Sequence, residues 1–198
     1  MQAFFGRLDP SPDTDFYADA RVGEQHLDAA ARAALTQHYA RVFKVLAAQP
    51  PLKVAGATTK GDANADTATT NCSLDVLDLC SSFESHFPGA RGDVADAVDT
   101  AAGAEQQTEE LPAVHAYGVG LNVEELAANS RLSAGYEVVD LNATPKLLAH
   151  ANNSYDLVTC ALSVDYLTQP MEVSFRSINS TLFVLAVELS KTAPSTLF

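Results

Sequence analysis

The chain has 198 residues, room for one domain with a complete hydrophobic core and little room for a second large one. Apolar residues make up 47% and charged residues 19%, the balance of a soluble globular protein. Twelve Lys and Arg against 25 Asp and Glu leave a formal charge of −13, a field that repels phosphate backbones and anionic lipid, so nucleic acid and membrane surfaces are poor candidate partners.

Residues 1–23 show no periodicity and contain Pro10 and Pro12, which predicts an irregular lead-in. Met1–Asp13 is too poor in apolar residues for a secretory core and carries acids that suit no transit peptide. The longest apolar run, Leu182–Val187 with its flanks, falls far short of the roughly 20 residues of a membrane span. A cytoplasmic location is the default expectation. From residue 24 onward Leu27, Ala31, Leu35, Tyr39, Val42 and Leu46 recur at helical spacing. Glu24, Gln25 and Asp28 lie near the start of this helix, and Pro50 and Pro51 stop it. Such a helix can cover a ligand or pack on a core, and core packing is favoured.

Residues 55–71 hold almost no large apolar side chain and read as a flexible insertion. Residues 89–112, rich in Ala and acids, read as a second one. Around them the period changes. Compact apolar runs occur at Leu74–Leu79, Ala113–Leu121, Tyr136–Leu141 and Tyr155–Val164, with a short helical stretch at Val123–Ala128. Short buried runs separated by helices or loops predict an α/β fold, a doubly wound and mostly parallel sheet occupying 24–198. Ligands of such sheets bind beyond the carboxyl ends of the strands, where the strand order reverses. The candidate site residues are therefore those that follow each run: Asp78, Cys80 and Ser82; Gly120 and Asn122; Asp140 and Leu141; and Ala161.

The segments DVLDLCSS, AYGVGLNVEEL, YEVVDLN and NNSYDLVTCALSVDYLTQPMEV stand in the order and spacing of a known family. Over residues 74–88 and 113–173 the chain resembles the class I S-adenosylmethionine-dependent methyltransferases, in the type 11 or ubiquinone-biosynthesis-like branch. The resemblance implies a Rossmann-like sheet, S-adenosyl-L-methionine as cofactor and a small-molecule methyl acceptor. It implies that Asp78 helps hold the cofactor's amino-acid end and that Asp140, with Leu141, faces the adenine amino group. Ala161 and Ser163 would form the wall beside the methionine sulfur.

Two positions depart from the family. The loop that is normally glycine-rich reads Cys80, Ser81, Ser82, Phe83, Glu84, and Gly120 stands where an acid usually accepts the ribose hydroxyls, with Asn122 the nearest polar group. A left-handed backbone is cheap only for glycine. Beyond Val173 the family's turn and last two strands are missing, so the sheet is expected to be incomplete at the C-terminus. Thr181–Leu189 is β-branched and apolar enough for a fifth strand. An open edge there invites self-association.

Other readings attach to single residues. Asp140 before Leu141 and Asn142 suits an Asx turn as well as a ligand contact. Asn122 before VEEL suits a helix N-cap, and that reading is ahead. Cys80 and Cys160 read as buried thiols, and Cys72, Cys80 and Cys160 lack metal or disulfide spacing. The five histidines lack metal spacing. No nucleophile elbow or phosphate loop is present, and no catalytic residue is assigned. Two functions remain: an active methyltransferase, or a catalytically inactive protein of that fold that serves as a binding module. A nicotinamide oxidoreductase is disfavoured, because its glycine fingerprint is absent.

Overall fold

The computed structural model of the chain describes residues 12–49, 73–89, 111–146, 150, 154–170, 172–173 and 183–186. The flexible insertion expected at 55–71 and most of that at 89–112 lie outside them, as does residue 72. Within the lead-in, a single helical turn forms at Asp13–Phe16 (α1). The first long element is α2, Ala29–Ala47. Its N-cap is Asp28, whose carboxylate accepts from the Ala31 N–H at 2.7 Å and satisfies one of the donors that every helix start leaves free. Leu35, Tyr39, Phe43 and Leu46 are its buried residues, so Phe43 rather than the expected Val42 sits at the centre of the packed face. Val42 flanks it, half-buried.

Five strands form one sheet: β1 (Ser73–Leu79), β2 (Ala113–Gly120), β3 (Gly135–Val138), β4 (Leu157–Ala161) and β5 (Phe183–Ala186). Each lies within or against one of the apolar runs. β3 is shorter than its run, so Asp140 and Leu141 fall just past the strand rather than inside it. Every neighbouring pair is parallel, and the order is β3-β2-β1-β4-β5. The described sheet is thus that of an α/β protein with flanking helices. The chain builds outward from β1 through β2 to β3, then crosses back to place β4 on the other side of β1. The order therefore reverses between β1 and β4.

Both faces of the central strand β1 are covered, as in parallel sheets generally. On β1, Leu74 and Val76 point to one face and pack with α2, with Leu126 of the short helix α3 (Val123–Ala128) and with Leu132. Leu77 and Leu79 point to the other face and pack with Val119, Leu141, Val158, Cys160 and Leu167. Phe87, in the loop after β1, meets the ring of Tyr39 edge-on at 5.0 Å and that of Phe43 at 5.6 Å. This aromatic contact fixes the loop that begins at Cys80 against α2. At one end of the order, β3 exposes Tyr136 and Val138. No helix among the described residues is long and apolar enough to cross a membrane.

Candidate functional site

A cavity of about 430 Å³ opens beyond the carboxyl ends of β1, β2, β3 and β4, over the point where the strand order reverses. All eight candidate residues, Asp78, Cys80, Ser82, Gly120, Asn122, Asp140, Leu141 and Ala161, line it. They meet there because parallel strands end on the same side, so four separate stretches of sequence deliver their following residues to one place. What each residue does there is set by its partners.

Asp78 is the most enclosed. Its carboxylate is buried and accepts three hydroxyl hydrogen bonds: from Ser81 at 2.8 Å, Ser85 at 2.7 Å and Thr159 at 2.7 Å. Burial pushes its pKa above the ordinary carboxylate value despite these donors. Both oxygens accept from the protein, so Asp78 organises the loop after β1 and ties it to β4. The loop itself turns through left-handed backbone at Cys80 (φ 54°) and again at His86 (φ 53°). Leu162, just past β4, does the same at φ 57°. These three are the non-glycine residues with positive φ among the described residues, and all three line the cavity. The glycines expected of such a loop are missing, but the conformation they would allow is present. Backbone held in that region by its surroundings is characteristic of functional sites.

Gly120 has no room for a side chain. A Cβ there would stand 2.1 Å from the Ser81 carbonyl oxygen and 3.1 Å from a Leu126 methyl. The Ser81 N–H donates to the Val119 carbonyl at 2.8 Å, which holds the loop in that position. The loop backbone thus fills the space that any side chain at position 120 would need. Asn122 is an N-cap. Its side-chain oxygen accepts from the N–H groups of Glu124 (2.9 Å) and Glu125 (3.1 Å), and its amide donates to the Tyr17 carbonyl at 3.0 Å. Asp140 makes the Asx turn: Oδ1 accepts from the N–H of Asn142 at 2.8 Å and of Ala143 at 3.2 Å. Leu141 is buried in the core below the cavity, and Ala161 closes β4 with its carbonyl accepting from the Ser163 hydroxyl at 3.0 Å.

Three further residues build the site and carried no obvious mark in the sequence. Glu125 is buried, accepts from the Ser82 hydroxyl at 2.5 Å and from the Arg21 N–H at 2.9 Å, and lies 3.6 Å from the Arg21 side chain. The guanidinium of Arg21 sits over the rings of Tyr17 (4.6 Å) and Phe16 (5.4 Å), a cation–π contact that holds all three together. Asn142 donates to Asp13 at 2.6 Å and to the Tyr166 carbonyl at 2.9 Å, and accepts from the Thr168 N–H at 2.6 Å. The lead-in is thus fastened across the strand ends at Asp13, Tyr17 and Arg21, and forms one wall of the cavity. A signal for Glu125 exists: Asn122-Val123-Glu124-Glu125 has the spacing of a capping box. Here the acid turns away from the cap to hold Arg21 and Ser82. Replacing Glu125 by Gln removes the charge that holds Arg21, and is expected to lower unfolding free energy by about 1.5–3 kcal/mol in urea denaturation.

A loosely partnered group lies in the loop after β1, which also lines the cavity. His86 Nδ1 is 3.4 Å from Glu84, and Arg32 approaches the same Glu84 oxygen at 4.0 Å. Glu84 Oε2 and His86 Nδ1 are enclosed yet have no hydrogen-bond partner in the protein. Burial lowers the His86 pKa, against the nearby Glu84 charge that raises it. Among the described residues no group of His, Cys, Asp and Glu is placed to hold a metal ion. Comparison of the chain with protein-family models, with curated proteins and with solved structures gave no match.

Proposed function

We propose that the chain is a Rossmann-like S-adenosylmethionine-dependent methyltransferase domain that binds the cofactor in the cavity at the strand ends and methylates a small molecule. The observation that carries this is the convergence of four separate strand-end motifs on one cavity, at the reversal of a β3-β2-β1-β4-β5 parallel sheet. At about 430 Å³ the cavity is within the 300–1,000 Å³ or so typical of small-molecule sites. Its charge also suits the ligand: Asp13, Glu24, Glu84 and Asp140 line it, and the sulfonium and ammonium of S-adenosylmethionine are cations.

The residues fit the ligand unevenly. Asp78, Glu84 and His86 line the part of the cavity where the resemblance puts the amino-acid end, and Asp78 Oδ1, with Thr159 as its one donor, keeps acceptor capacity. At the other end, Leu141 offers an apolar surface to the adenine and Asp140 keeps Oδ2 for its amino group. The bound cofactor supplies an activated methyl group on a sulfonium. Transfer then needs orientation of the acceptor more than an acid or base. Between these ends Gly120 offers no acid to the ribose, and the Asn122 amide is already engaged. This favours a second reading, in which the chain binds nucleosides without turnover.

Isothermal titration with S-adenosylmethionine and with its demethylated product tests the proposal, and absence of heat at millimolar ligand overturns it. Asp140 is the sharper probe. Asp140→Asn keeps the Oδ1 that accepts the two turn hydrogen bonds, so its melting temperature should hold. It loses the charge at Oδ2, so affinity should fall by about ten- to a hundredfold, the equivalent of a charged hydrogen bond. Unchanged affinity in the folded protein would refute the adenine contact.

A further inference from the structure

Cys80 and Cys160 are both free thiols, one half-buried on the cavity wall and the other fully enclosed behind it. Their meeting is produced by the backbone. Side chains alternate along β1, so residue 80 would be expected on the face of Asp78, Val76 and Leu74. The left-handed turn at Cys80 breaks that alternation and delivers the thiol to the opposite face, where it packs in the cluster of Leu77, Leu79 and Cys160. β1 and β4 are neighbours, with Asp78 opposite Thr159, so both cysteines stand at the same end of adjacent strands. The neighbouring Cys80 thiol, burial, and the carboxylates of Asp78 and Asp165 push the Cys160 pKa up. Cys160 is fully enclosed and does not meet a solute first, whereas Cys80 lines the cavity.

The geometry points to Cys80 and Cys160 as an oxidisable dithiol at the cavity floor, in which Cys80 meets a hydroperoxide and Cys160 resolves it to a disulfide. In the first step the Cys80 sulfur, as thiolate, attacks the peroxide oxygen. An S–O bond forms, the O–O bond breaks, and the leaving oxygen takes up the proton that the Cys80 thiol gave up, to depart as an alcohol, or as water if the oxidant is hydrogen peroxide. In the second step the Cys160 sulfur displaces the oxygen from Cys80, the S–S bond forms, and water leaves with the Cys160 proton. Two thiols lose two electrons and the hydroperoxide gains them. The product ties the loop after β1 to β4 beside Asp78, which already joins the same two elements through Ser81, Ser85 and Thr159. Oxidation would thus freeze the loop in the conformation that places the Ser81 carbonyl against Gly120.

The inference does not rest on the cofactor assignment, and its test uses the full chain without ligand. The protein is treated with hydrogen peroxide, its remaining thiols are counted, and peptides are mapped by mass spectrometry under non-reducing conditions. The expected result is loss of two of the three thiols and a single cross-link between the peptides of Cys80 and Cys160, reversed by a dithiol reductant. In Cys160→Ala the Cys80 sulfenic acid should persist and be trapped by dimedone. In Cys80→Ala, Cys160 should stay reduced. A cross-link to Cys72 or to a second molecule, conversion of wild-type Cys80 to sulfinic acid without a cross-link, or two unreactive thiols would each overturn the assignment.

Discussion

Gly120→Ala is expected to lower the unfolding free energy by about 1–3 kcal/mol, the range for forcing a methyl group into closed space. The methyl would lie 2.1 Å from the Ser81 carbonyl oxygen, which is backbone and cannot rotate away. The residue does not use the left-handed region, so glycine is needed here for space alone, and the stiffer unfolded chain of the alanine variant offsets only a small part of the loss. For relief the loop has to withdraw, breaking the Ser81–Val119 hydrogen bond and disturbing Asp78 three residues away. Gly120→Asp makes the stronger point. It supplies the acid that the proposed function would want for a ribose, yet it should be less stable than the alanine variant and bind nucleosides no better. Urea denaturation of both variants, with titration of the folded fraction, checks this. A stable Gly120→Asp protein with raised affinity would show that the loop moves aside readily.

Asp78→Ala should cost more, about 3 kcal/mol or above, because it leaves the hydroxyls of Ser81, Ser85 and Thr159 facing a buried gap. The pH dependence identifies the group. Burial raises the folded pKa of Asp78 above its unfolded value near 3.8. The folded state therefore holds the proton more tightly than the unfolded chain, and the associated stability is fully present below the unfolded value. It is lost as pH rises through the folded value. Across that window, acidification should stabilise the wild type relative to Asp78→Ala, so the gap between the two denaturation midpoints widens as pH falls. A gap that narrows with acid would mean that the three hydroxyls outweigh burial and hold the carboxylate charged.

The central strands β1 and β4 were legible because each is a dense apolar run, and a strand buried on both faces needs little else. The place of the site was legible for a topological reason: once the runs read as parallel, the residues after them had to converge. The helix α2 was legible from its period, although the period alone did not separate Val42 from Phe43 as the residue packed at its centre. The roles of individual polar residues were much less visible. Asp78 looks like a ligand contact in VLDL, but its partner Thr159 lies 81 positions away and its other partners are serines in a loop of no evident pattern. Asn122 and Asp140 each had a local reading, as cap and as Asx turn, and in both cases the local geometry is realised. Asn142 and Glu125 escaped notice because their partners lie in the lead-in, a segment with no periodicity to suggest that it folds back on the sheet.

That lead-in has a consequence for how the molecule assembles. Its fastenings span 129 residues from Asp13 to Asn142, 105 from Tyr17 to Asn122 and 104 from Arg21 to Glu125, which makes them long-range closures in a chain whose other helix and turns are local. None of the three can form until β2, α3 and the turn after β3 are in place to receive it. Closing such large loops for three polar contacts gains little until the sheet is complete, so the segment docks late in folding and its contacts contribute little to the folding barrier. The reverse holds in the native state. Releasing Asp13, Tyr17 and Arg21 uncovers the strand ends without breaking a rung of the sheet, so this opening is expected to need less free energy than global unfolding. The wall contributed by residues 13–26 is accordingly the first part of the cavity to open and the last to form.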